Sequence, residues 1–146
     1  MSSATRQVIR IYLAAPLFTE AERIFNCHLR DLLHSDGHEV YLPQEQGEGC
    51  TQRGSEESAL LFTAHLKALQ SADVVVAVCD GPDTDSGTAW EMGYATAYGI
   101  RVIALRTDVR MAGTGARVNL MLAQSAELVT GTDQLLALLR TSLPST

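Results

Sequence analysis

The chain has 146 residues, enough for one domain with a real core, and its 46% hydrophobic and 19% charged residues are those of a soluble globular protein. Its net charge of −6, with eleven Lys and Arg scattered along the sequence, argues against a nucleic-acid backbone as partner. Cys27, Cys50 and Cys79 are odd in number and form no C-x-x-C pair, which disfavours a disulfide framework or zinc site and leads us to expect a reducing, cytoplasmic setting.

Val8–Ala14 reads as a first strand. Over Thr19–Ser35, Ala21, Ile24, Phe25, His28, Leu29, Leu32 and Leu33 recur at three- and four-residue spacing, which predicts an amphipathic helix. Asp36-Gly37 ends it, and Glu39–Leu42 is a short second strand stopped by Pro43. Gln44–Ser55 is polar, contains Gly47, Gly49 and Gly54, and reads as a loop. Glu56–Ser71 is helical, Asp73–Cys79 is a third strand, and Thr88–Tyr98 is a helix that Gly99 terminates. Arg101–Leu105 makes a fourth strand and Asp108–Ala116 a surface loop. Val118–Gln124 is a short helix, Glu127–Val129 a last strand and Thr132–Leu139 the closing helix, with Thr132 as its cap. No repeat or linker divides the chain, so residues 1–146 are expected to form one domain. No apolar stretch reaches the roughly 18–20 residues of a membrane span, and Met1–Arg6 lacks the apolar segment of a signal peptide.

Strands alternating with helices imply an α/β fold with a parallel sheet and right-handed crossovers. Five strands of this size predict a flavodoxin-like three-layer sandwich with strand order 2-1-3-4-5, whose switch point lies between strands one and three. The loops after Ala14 and after Cys79 meet there, which brings Tyr12 and Phe18 beside Asp85 and Glu91.

The stretch from Asp80 to Ala95 is the most informative. Asp83, Asp85 and Glu91 place three carboxylates where a ligand would sit, too much negative charge for a phosphate cradle but suited to sugar chemistry. A carboxylate near a helix N-terminus stays ionised at low cost, so Glu91 is a poor acid but an adequate nucleophile toward a carbon with oxocarbenium character. The same Glu91, three residues after Thr88, also matches a capping box. Asp85 equally suits a helix cap or an Asx-turn, and Asp80 and Asp83 flank Gly81-Pro82 as turn formers. Gly87 and Gly93 allow close backbone approach, the first to a ligand and the second to a neighbouring strand. By residue type alone, Tyr12 and Cys79 read as core and His65 as a satisfied helix residue. No P-loop, G-x-G-x-x-G or nucleophile elbow is present, and no cofactor or metal is called for.

Three segments, Ile11-Tyr-Leu-Ala-Ala-Pro-Leu-Phe18, Asp80-Gly-Pro-x-x-Asp85-Ser-Gly-Thr-x-x-Glu91-x-Gly-Tyr-Ala95 and Val118-Asn-Leu-Met121, together resemble the nucleoside 2-deoxyribosyltransferase family. The resemblance implies that Glu91 attacks C1′ of a 2′-deoxynucleoside, releases the base and holds deoxyribose as an ester. A second base then attacks, so configuration is retained. It further implies that Tyr12 holds Glu91 in line, that Asp85 handles the leaving base, and that Phe18, Gln44 and Gln46 border it. Ser86 and Gly87 fall among the substrate-binding residues. Asn119 and Met121 match residues that a neighbouring subunit lends to the site, which implies a homo-oligomer, at least a dimer. Where many members carry an Asp on the helix before strand three, this chain has His65, which can donate a proton to a leaving base. The chain also ends Leu-Pro-Ser-Thr146, without the aromatic carboxyl terminus of some bacterial members. Expected ligands are deoxynucleosides and nucleobases, in deoxynucleoside salvage.

The nearest alternative keeps Glu91 but lets water resolve the ester, giving a 2′-deoxynucleoside 5′-monophosphate N-glycosidase. Such relatives carry a Gly-Ser-Ile-Arg-Gly-Gly-like loop after the first strand, whereas this chain has the apolar Ala14-Ala-Pro-Leu-Phe18. Ser86 remains a possible phosphate contact. A non-catalytic nucleotide sensor would retain the pocket yet tolerate Glu91→Gln. A flavin protein on the same fold would need a Ser/Thr-rich phosphate loop that this sequence lacks.

Overall fold

A computed structural model of the chain describes residues 7–47, 53–111 and 115–141. Cys50, Gly49 and the closing residues 143–146 discussed above lie outside them. The strands are β1 (Arg10–Ala14), β2 (Glu39–Tyr41), β3 (Val74–Val78), β4 (Arg101–Leu105) and β5 (Glu127–Val129). The helices are α1 (Glu20–Ser35), α2 (Ser55–Ser71), α3 (Ser86–Ala97), α4 (Leu120–Ser125) and α5 (Thr132–Thr141). All strand pairs are parallel, in the order β2-β1-β3-β4-β5, as the alternating pattern predicts.

Period-two alternation along the strands builds two cores. Ile11, Leu13, Val74, Val76, Ile103 and Leu105 face α1 and α5, meeting Leu29, Leu33, Leu135 and Leu139. Tyr12, Ala14, Val75, Ala77, Val102 and Ala104 face the opposite way, onto Leu69 of α2 and Met92 and Ala95 of α3. The central β3 is buried at every position, which explains its unbroken Val-Val-Val-Ala-Val run.

Element ends depart from the sequence expectations for local reasons. β1 begins at Arg10 rather than Val8, where pairing with Glu39 starts. A short 3-10 turn occupies Pro43–Glu45, overlapping the start of the segment expected to be loop. α3 begins two residues before Thr88, because Asp85 is its cap: the carboxylate accepts from the Thr88 amide at 3.1 Å. The expected Thr88–Glu91 capping box is therefore absent, and Glu91 lies in the second turn. Thr132 is the first residue of α5, not its cap. Gly93 is no close approach either, since a Cβ there would meet nothing within 4 Å.

A capping box does form at α1. The Thr19 hydroxyl accepts from the Glu22 amide at 3.1 Å, while the Glu22 carboxylate accepts from the Thr19 amide at 2.8 Å. Thr19→Ala removes one half of it and is expected to cost about 1 kcal/mol of stability, read from the midpoint of a urea titration at unchanged slope.

Candidate active site

The parallel topology aims the β1 and β3 carboxyl ends at α3. Tyr12, wholly buried in β1, reaches across to α3, and its hydroxyl donates to Glu91 Oε1 at 2.5 Å. This is the length of a strong, charge-assisted O–H···O bond. It stabilises the carboxylate and fixes one of its oxygens. Gly87, Trp90 and Glu91 of α3, with Phe62, His65, Leu66 and Leu69 of α2, line a cavity of about 300 Å³. Its wall is apolar and aromatic apart from His65 and Glu91, as expected of a small-molecule site with few polar groups. None of the residues lining it is Lys or Arg.

Tyr41 extends this arrangement. Its ring stacks on Tyr12, with centroids 5.4 Å apart and planes at 18°. Its hydroxyl lies 2.9 Å from His65 Nδ1, and the imidazole stands edge-on to its ring at 5.8 Å.

Asp85 serves α3 as its N-cap, and its Oδ2 also sits 3.5 Å from the Thr88 hydroxyl. Gly87 eases the fit beside it: a Cβ there would stand 3.1 Å from Asp85 Oδ2, a tight contact. The close approach that Gly87 permits is thus to the capping carboxylate. Asp83 accepts from the Thr84 amide within its own turn. Asp80 does more than form a turn, because its carboxylate accepts from the Thr107 amide and hydroxyl and the Asp108 amide. Cys79 is inert at neutral pH, since burial pushes its thiol up to about 11.

The structure brings Tyr12, His65, Gly87 and Glu91 together, with Asp85 at the head of the same helix. None of the remaining expected residues is among those that line this cavity. Phe18 is exposed on the β1–α1 loop. Gln44 Oε1 accepts from Asn26 of α1, while its Nε2 donates to the Arg23 carbonyl and the Cys27 sulfur. Gln46 and Ser86 are exposed. Asn119 caps α4 by accepting from the Met121 amide, and Met121 projects into solvent.

Several contributors were not named from the sequence. Phe62, Trp90 and Tyr41 read there as ordinary apolar helix and strand positions. Asn26 had a signal, a polar residue on the buried stripe of α1; its amide also donates to the Pro16 carbonyl. Arg106, just past β4, is fully buried and donates to the carbonyls of Cys79, Gly81 and Arg110. Among the described residues no group of three or more His, Cys, Asp or Glu is placed to hold a metal ion, and no helix is long and apolar enough to cross a membrane.

A sequence model of nucleoside 2-deoxyribosyltransferases matches residues 11–121, which include Tyr12, Asp85, Glu91, Asn119 and Met121. The chain belongs to the nucleoside 2-deoxyribosyltransferase family. Its fold is similar to that of a conserved protein from Enterococcus faecalis V583, at 28% identity and a TM-score of 0.77, covering 94% of this chain and 100% of that one. A 2-deoxyribosyltransferase from Bacillus psychrosaccharolyticus is 27% identical with a TM-score of 0.75, covering 88% and 94%. A CMP N-glycosidase from Clostridium botulinum shares the fold at 21% identity and a TM-score of 0.52, covering 89% and 97%. Family and fold together support deoxyribosyl transfer or a related nucleoside glycosidase reaction.

Tyr12→Phe deletes only the donor to Glu91. Release of base from a deoxynucleoside is expected to slow by about tenfold or more, with the thermal midpoint little changed; steady-state rates and calorimetry on the same sample check both.

Proposed function

We propose that the protein transfers 2-deoxyribose between the nucleobases of 2′-deoxynucleosides through a covalent ester on Glu91, with retention of configuration. The observation that carries this reading is the 2.5 Å bond from Tyr12 to Glu91 at the wall of the apolar cavity. A donor at that oxygen favours the ionised carboxylate and orients it, and half-burial partly screens it from water, as a nucleophile requires.

In the first step a Glu91 oxygen forms a bond to C1′ as the C1′–N bond breaks, and the electron pair leaves with the base. The missing 2′-hydroxyl favours this, because that oxygen would withdraw electrons from the developing cation. Asp85 Oδ2 is engaged by the cap, so Oδ1 is the oxygen to meet the base; in its protonated form it delivers a proton to the leaving group. In the second step a nitrogen of the acceptor base attacks C1′, Asp85 takes up the proton that this nitrogen loses, and the Glu91 ester breaks. Two displacements on one carbon give net retention. The base would lie against the wall formed by Phe62 and Trp90, with His65 at its edge.

Hydrolysis of 5′-monophosphates is the less favoured reading. A phosphate would seek the N-terminus of α3, where free amides and the helix dipole attract anions. There the Asp85 carboxylate already takes the Thr88 amide, and no Lys or Arg lines the cavity.

Shared sites in a homo-oligomer are part of the proposal. Leu60, Phe62, Trp90, Tyr98, Leu120 and Met121 are exposed along α2, α3 and α4, an apolar face that suits burial against a second copy. Met121 and Asn119 of one copy would then border the cavity of another.

Purified protein incubated with deoxyinosine or thymidine, with and without adenine, should give deoxyadenosine only when adenine is present. Base release without exchange, above all from a 5′-monophosphate, would favour the hydrolase. Glu91→Gln should lower the exchange rate on the order of a thousandfold or more while the protein stays folded; activity within tenfold of wild type would remove Glu91 as nucleophile. Dilution series followed by sedimentation and activity should show activity falling as the oligomer dissociates, and a fully active monomer contradicts the shared site.

A further inference from the structure

Tyr12 and Tyr41 are register partners in the parallel pairing of β1 with β2. Neighbouring partners in a sheet project to the same face, so their stack is built into the strand pairing; a slip of one residue would turn Tyr41 to the α1 side. From this position Tyr41 meets both groups that flank Glu91. Its ring lies against Tyr12, the donor to the carboxylate, and its hydroxyl meets His65, which shares the cavity wall with Glu91.

We propose that Tyr41 is a positioning residue for Glu91, fixing the Tyr12 ring by stacking and the His65 imidazole by a hydrogen bond that selects its tautomer. The assignment rests on the reading of Glu91 as nucleophile. We assign the Tyr41 hydroxyl as the donor in this bond: Nδ1 is then bare and the ring proton sits on Nε2, whereas the other tautomer would have Nδ1 donate to the hydroxyl. His65 is thereby a donor at Nε2, in the neutral ring as in the charged one. The stack acts at the other end. Tyr12 must hold its oxygen at 2.5 Å from Glu91, and a flat ring against one side of the phenol restricts the rotation that would lengthen that contact. Displacing a reacting group by about 1 Å costs roughly a hundredfold in rate, so a side chain that touches only the supports of the nucleophile still controls turnover.

Two substitutions separate the effects. Tyr41→Phe keeps the stack and removes the bond to His65; Tyr41→Leu removes both. In Tyr41→Phe the ¹⁵N imidazole spectrum of His65 is expected to change from one tautomer, protonated at Nε2, to a mixture. The kcat for base exchange should fall about tenfold with KM nearly constant, and in Tyr41→Leu about a hundredfold. A merely structural role would lower the thermal midpoint without moving the tautomer or splitting kcat from KM. Full kcat in Tyr41→Phe, or an unchanged tautomer, overturns the assignment even if Tyr41→Leu fails to fold. A wild-type protein that cleaves no deoxynucleoside overturns the functional reading and this assignment together, whereas an active wild type with fully active Tyr41→Phe overturns this assignment alone.

Discussion

The bond from Tyr12 to Glu91 joins residues 79 positions apart, and most of the architecture on that side of the sheet is what holds its two ends. Tyr12 is anchored by β1, which pairs with β2 on one side and β3 on the other and leaves the ring wholly buried. Glu91 is anchored by α3, whose Met92 and Ala95 sink into the core beneath it. A buried hydroxyl without a partner costs about 1–3 kcal/mol, so the carboxylate also satisfies the tyrosine. Stability and chemistry pull the pair together for different reasons.

The N-terminal end of α3 is fixed by a second set of contacts, between the loops after β3 and β4. Arg106 donates from beneath to the carbonyls of Cys79 and Gly81, and Asp80 accepts three bonds from Thr107 and Asp108 in return. Asp108 completes the exchange by accepting from the Gly81 amide. A fully buried guanidinium facing carbonyls rather than a carboxylate is expensive to desolvate. It ties the loop that carries Asp80, Asp83 and Asp85 to the end of β4.

The sheet order and most element positions were legible in the sequence, because apolar runs of four to six residues alternate with helical periodicity and Gly or Pro marks the ends. The start of α3 was not. Asp85 and Thr88 are both good caps, and what decides between them is the bond that the Asp85 carboxylate accepts from the Thr88 amide. For the site, the acidic loop and Glu91 stood out by residue type and spacing. Tyr41 did not, since its role follows from β1–β2 register, a pairing between distant segments that no local pattern encodes. Phe18 was expected near the base because two loops converge there, and Gln44 because the family resemblance implies it. In the structure Asn26 draws the Gln44 amide onto α1 instead.

α3 differs from α1 and α5 in a way that bears on both assembly and chemistry. The outer helices on the other face are amphipathic, whereas Ser86–Ala97 contains one charged residue, Glu91. That single charge is turned to the cavity, so it contributes little to solubility. The outward positions are aromatic: Trp90 stacks on Tyr94 at 5.4 Å and Tyr94 on Tyr98 at 5.4 Å, with Phe62 of α2 edge-on to Trp90. An exposed aromatic stripe of this kind on a helix suits burial against a partner rather than contact with water. Trp90 and Phe62 are at once the start of this ladder and part of the cavity wall. A second copy that covered the ladder would therefore also wall off the cavity from water, which is the condition under which a glycosyl ester survives long enough to meet a second base.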